Sequence, residues 1–124
     1  METTTFESAK ARLLVASTDG TCIEDGYTGY FTVWEHGGLY FLRHWADCDD
    51  SQKWDKFFTI EISAEYCAAY RDNSDQGNRG LSTAIDGAPA ILVETYTYDL
   101  AGTKETKEFI LAKDFPKDWR PVTD

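Results

Sequence analysis

Three successive segments, "GYFTVW", "LYFLRHW" and "KFFTIEIS", alternate apolar and polar residues with a period of two, and this most limits the folds open to the chain. A period of two belongs to strands, because successive side chains leave a pleated backbone on opposite faces. In the first segment Phe31 and Val33 share a face, with Tyr30, Thr32 and Trp34 on the other. In the second, Leu39, Phe41, Arg43 and Trp45 stand opposite Tyr40, Leu42 and His44. In the third, Phe58, Ile60 and Ile62 are expected inward, with Thr59 and Glu61 outward. "EHGG" between the first two supplies glycines that accept positive φ, so these segments predict an antiparallel meander.

The flanks are read from the same rules. "AILVETYTYDL" and "TKETKEFIL" around "AG" predict a C-terminal hairpin with a strongly charged second arm. Ser63 is a good N-cap for a helix over "AEYCAAYR", with Glu65 in the first turn. "RDNSDQGNRG" reads as a polar loop, and "KDFPKDWRPVTD" shows no regular pattern. Residues 6–17 are ambiguous. Phe6, Ala9, Lys10 and Leu13 have helical spacing, with Thr4 and Glu7 as a capping box, yet "ARLLVAS" before "TDG" reads as a hairpin arm. A strand from about Lys10 is the expectation. The sum is one α+β domain over residues 1–124. It has an antiparallel sheet of about five to seven strands and one or two short helices.

Composition matters mainly through charge. The 124 residues hold 22 acidic and 12 basic side chains, a net charge of −10, and residues 44–86 hold 9 acids against 4 bases. Such a field repels nucleic acid and anionic membranes and attracts basic proteins. The N-terminus is acidic and polar rather than apolar, and no stretch approaches the length of a membrane span, so a cytoplasmic location is expected.

The densest chemistry lies in "RHWADCDDSQKWDKFF", Arg43 to Phe58. A calcium loop starting at Asp47 would need glycine where Gln52 stands and glutamate where Phe58 stands. The register starting at Asp72 has Thr83 in place of that glutamate. His44 and Cys48 are too few for zinc without recruits such as His36 or Cys22. Aspartates beside Cys48 disfavour a thiolate, which argues against a cysteine nucleophile. Cys22 and Cys67 are expected to fill the core. Common nucleotide, acyl-transfer and metalloprotease strings do not occur. No catalytic residue, metal or cofactor is therefore assigned.

What remains is an acidic loop between tryptophans. Trp45, Asp47, Asp49, Asp50, Trp54 and Asp55 are the candidate partner-binding residues, the tryptophans as anchors and the aspartates facing a partner's arginines and lysines. The expected function is that of a non-enzymatic, acidic inhibitor. It would neutralise a basic partner such as a nuclease or nucleic-acid-binding complex, as anti-CRISPR, anti-restriction and toxin-immunity proteins do. Direct contact with nucleic acid or membrane is not expected. Tyr96 and Tyr98 line one face of a strand, and the alternative is a small-molecule module in which the tyrosines and tryptophans of an aromatic-lined sheet stack on a planar ligand or sugar. The chain is read as monomer or homodimer, with the charges of "TKETKE" counting against strand addition at that edge.

Overall fold

The computed structural model describes residues 2–26, 31–49, 51, 53–72, 74–99 and 102–119. Its helices are α1 (Glu2–Asp19), α2 (Ala64–Asp72) and α3 (Ser74–Gly87). Its strands are β1 (Thr21–Gly26), β2 (Phe31–His36), β3 (Leu39–Asp49), β4 (Trp54–Ile62), β5 (Ile91–Asp99) and β6 (Gly102–Ile110). Two 3-10 turns follow, at Ala112–Asp114 and Lys117–Trp119. The strands lie in chain order, each antiparallel to the next, so the predicted meander runs through the whole sheet. Gly37 and Gly38, at φ 61° and 82°, make the tight turn between β2 and β3, where both central residues need positive φ. No helix among the described residues is long and apolar enough to cross a membrane.

The two faces of this sheet are treated differently. On one, the closed face, Val33, Leu42, Phe58, Ile60, Ile91 and Val93 are buried under α2, α3 and the C-terminal turns. Cys67 on α2, Leu81 and Ile85 on α3, and Phe115 complete that core. Ser63 caps α2 as the sequence predicts, its Oγ accepting from the Tyr66 amide at 3.0 Å. On the other face, α1 lays Ala9, Leu13 and Ala16 over Phe41, Ala90 and Leu92, with Phe6, Trp34 and Phe109 around them. This helix covers only part of its side of the sheet, the half-open face.

Several expectations give way to tertiary packing. Residues from Lys10 to Asp19 are helix, not strand, and α1 begins ahead of Thr4, so the Thr4–Glu7 box lies within it. The helix places Ala9, Leu13 and Ala16 on one buried stripe, whereas a strand would divide them between faces. It stops at Gly20, whose amide donates to the Ala16 carbonyl at 2.9 Å. A Cβ at residue 20 would stand 2.5 Å from that oxygen, so glycine is required. The segment from Ser74 to Gly80, read as loop, is the first half of α3. Leu81, Ile85 and Ala88 fix the other end of that helix to the sheet, and this anchoring outweighs the cost of about 1 kcal/mol for each internal glycine. Cys22 is exposed rather than a core filler, while Cys67 is buried as expected. Because α1 roofs the β4 face that was read as outward, Thr59 is fully buried and Glu61 is paired with Arg12.

Candidate functional site

The stretch from Arg43 to Phe58 forms the long β3–β4 hairpin, so most of the expected acidic loop is paired strand. Cys48 pairs with Asp55 and Asp49 with Trp54, which leaves a tight end. There Asp49 Oδ1 accepts from the Ser51 amide and hydroxyl, at 3.0 and 2.7 Å, and Lys53 adopts φ 59°. The short Asp side chain thus satisfies turn groups that the ladder leaves unpaired.

A bulge between Trp45 and Asp47 decides which residues meet. One extra residue, Ala46, shifts the alternation and divides the candidate residues between the two faces. Trp45 and Asp55 lie together on the half-open face, the indole Nε1 donating to Asp55 Oδ1 at 3.4 Å. Asp47 and Trp54 lie on the closed face, and Asp49 shares a register position with Trp54. Asp47 Oδ2 accepts from Trp119 Nε1 at 3.4 Å, and its Oδ1 accepts from the Cys48 amide at 2.8 Å. The Lys56 ammonium lies 5.2 Å from the Trp54 ring and 5.7 Å from that of Trp119. Trp119 in turn meets Phe115 edge-on at 5.6 Å, and Phe115 meets Phe58 at 4.9 Å. The Asp47–Trp54–Trp119 group thereby fastens the C-terminal turns to the core. Asp50 lies outside the described residues.

The half-open face gathers residues that sequence reasoning did not group. On the part that α1 leaves uncovered it carries Arg43, Trp45, Asp55, Phe57, Glu94, Tyr96 and Tyr98. The Arg43 guanidinium lies 4.0 Å from the centre of the Phe57 ring and reaches diagonally from β3 to β5. Its Nε donates to Glu94 Oε1 at 3.1 Å, and its Nη2 donates to the Tyr96 hydroxyl at 3.1 Å. That hydroxyl donates to Glu94 Oε2 at 2.9 Å, so both oxygens of the buried carboxylate are satisfied. Partial burial and the Glu94 carboxylate push the Tyr96 hydroxyl up to about 12. The register of β5 with β4, set across residues 63–90, brings Glu94 and Tyr96 here. Only the alternation of Tyr96 and Tyr98 hinted at it in the sequence.

At the outer margin, Tyr98 hydrogen-bonds Asp55 through its hydroxyl, and loss of solvation and the Asp55 carboxylate both raise its pKa. Asp55 therefore holds the polar tips of both Trp45 and Tyr98. None of the ion pairs among the described residues uses Asp55. Tyr98 is exposed and Trp45 half-buried, so the group faces outward.

His44 and Cys48 do not converge. His44 stacks on Phe58 on the closed face, with ring centres 5.6 Å apart, while exposed Cys48 pairs with Asp55. The His44 Nδ1 donates to the Trp45 carbonyl at 2.7 Å, and burial lowers its pKa below 6.5, which keeps the ring neutral. Among the described residues no group of three or more His, Cys, Asp and Glu is placed to hold a metal ion. Compared with family models, curated proteins and solved structures, the chain matches none.

Proposed function

We propose that this chain is a non-enzymatic binding protein that engages a basic protein through the open part of the half-open face. The observation that carries this reading is Asp55: a carboxylate set between Trp45 and Tyr98, outside every ion pair among the described residues, in a chain of net charge −10. A partner's arginine or lysine would meet the carboxylate while its stem lies against the rings, and the surrounding negative field would speed encounter at low salt. A nuclease or other nucleic-acid-binding protein has the required charge, as expected for inhibition of the anti-defence or toxin-immunity kind in the cytoplasm. The aspartates of the closed face have a separate task in this proposal, since Asp47 serves Trp119. The place where a planar ligand would stack on Phe57 is taken by Arg43, which favours a protein partner over a small molecule.

The test is affinity capture from the source cell with low- and high-salt washes, comparing the wild type with Trp45→Ala, Asp55→Asn and Asp49→Asn. Loss of one basic protein with the first two variants, and retention with the third, is the expected result. Equal capture by all three would sink the proposal.

A further inference from the structure

An open sheet ends in two edges, and the edges of this one are not alike. The β1 edge is six residues long and broken by a bulge between Cys22 and Glu24. The β6 edge, Gly102–Ile110, pairs with β5 at every position without a bulge, contains no proline, and is exposed from Gly102 through Glu108. An edge strand turns alternate N–H and C=O groups outward, so a long unbroken edge is a template for another strand. Charged side chains normally blunt such an edge, but their order matters as much as their presence.

The order here is Lys104, Glu105, Thr106, Lys107, Glu108. Two copies of β6 related by a two-fold axis at Thr106 would pair antiparallel, with Thr106 facing Thr106. Lys104 then faces Glu108 of the second copy, and Glu105 faces Lys107. Each pairing occurs twice, so every charge of the segment stands opposite its complement. Because an antiparallel ladder pairs residues of matching alternation, the neighbouring symmetric registers are centred on Lys104, Glu105, Lys107 or Glu108. Each of those places a charge opposite its own copy, which is destabilising. Among the registers centred within this charged segment, charge therefore selects one. The edge is locally neutral in a chain of net charge −10, so it is where two copies can approach with least repulsion.

We propose that β6 is a self-association edge, at which a second copy of this chain pairs antiparallel about Thr106 and continues the sheet through both copies. With the axis normal to the sheet, each face passes into the same face of the second copy. Lys104–Glu108 pairs lie on the closed-face side and Glu105–Lys107 pairs on the other. There the existing Lys107–Glu105 contact of 3.5 Å becomes half of a four-charge cluster. One strand edge is smaller than the roughly 1,000 Å² of a stable interface, so the dimer is weak and depends on concentration. The rule that isologous contacts are self-complementary is met by the sequence itself.

Sedimentation velocity from micromolar to millimolar chain tests this. The wild type is expected to pass from monomer to dimer. The variants Lys104→Glu/Lys107→Glu and Glu105→Lys/Glu108→Lys should each self-associate at least about tenfold more weakly, because every facing pair becomes like-charged. Mixed together, the two variants should form a heterodimer. All substitutions are at exposed positions, and circular dichroism confirms folding. The register is read by Thr106→Cys in a Cys22→Ser/Cys48→Ser chain, which should oxidise to a covalent dimer. A wild type that stays monomeric at millimolar concentration overturns the proposal. So does a dimer unaffected by both charge variants, or one in which the Thr106→Cys chain does not cross-link.

Discussion

The closed and half-open faces are built from the same strands, yet they solve burial by different means. On the closed face, aliphatic and aromatic side chains meet two helices and the C-terminal turns, and His44, stacked on Phe58, is kept neutral by burial. On the half-open face, the apolar part is the strip that α1 covers as it crosses the strands. Beyond it Arg43, Glu94 and Tyr96 are half-buried to buried and must satisfy one another. The difference teaches that cover, rather than strand pattern, decides whether a position holds a hydrophobe or a bonded polar network. The open part can be both ordered and polar because Arg43 and Glu94 are locked together before any partner arrives, while Asp55 stays outside the ion pairs of the described residues.

Neighbouring phenylalanines give the sharpest contrast. Phe58→Ala on the closed face should cost about 4 kcal/mol, the range for deleting a fully buried aromatic. Phe57→Ala, whose ring is half-buried under Arg43, should cost about half as much. Urea unfolding of both measures this, and equal losses would erase the distinction between the faces. The next effect concerns the network itself. Glu94→Ala leaves the Arg43 charge unpaired and should cost about 3 kcal/mol, while adding Arg43→Met should recover most of the loss. If the second substitution restores nothing, the network is not what holds this region.

Smaller effects probe the boundary and the interior. The Thr59 hydroxyl is buried with no hydrogen-bond partner among the described residues, so Thr59→Val should raise stability by up to about 1 kcal/mol. A loss on that substitution would reveal a buried water or another hidden partner. The weakest signature is expected from His44. Its folded pKa lies below the unfolded 6.5, so the unfolded chain binds more protons in acid and stability falls as pH drops through 6.5 toward the folded value. His44→Gln should flatten that slope in chemical unfolding measured at several pH values, and an unchanged slope would place its origin elsewhere.

The parts of this structure that follow from local chemistry were legible. Alternating residues and paired glycines define β2, β3 and β4, and Ser63 marks the start of α2. What local reasoning could not reach was set by distant contacts. Helix α1 forms because Phe41 and Leu92, far along the chain, offer a face for Ala9, Leu13 and Ala16. The same packing buries Thr59, which the strand pattern assigns to solvent. For the candidate site, Trp45 and Asp55 were identifiable and do meet. The bulge at Ala46 carries Asp47 to the opposite face, and no property of "WADCD" announces it. Arg43 and Glu94 joined the site only once β5 lay in register beside β4.

The same chain order has a consequence for how the protein is made on the ribosome. Every strand pairing but one joins immediate neighbours in sequence, which favours rapid local zippering. The exception, β4 with β5, spans residues 63–90, and both cores depend on it. One needs Ile91 and Val93, the other Ala90 and Leu92. A nascent chain that has released only the first four strands and their helix therefore exposes both unfinished faces. Lasting burial of either face waits for β5, so the two cores close together once that strand is in place.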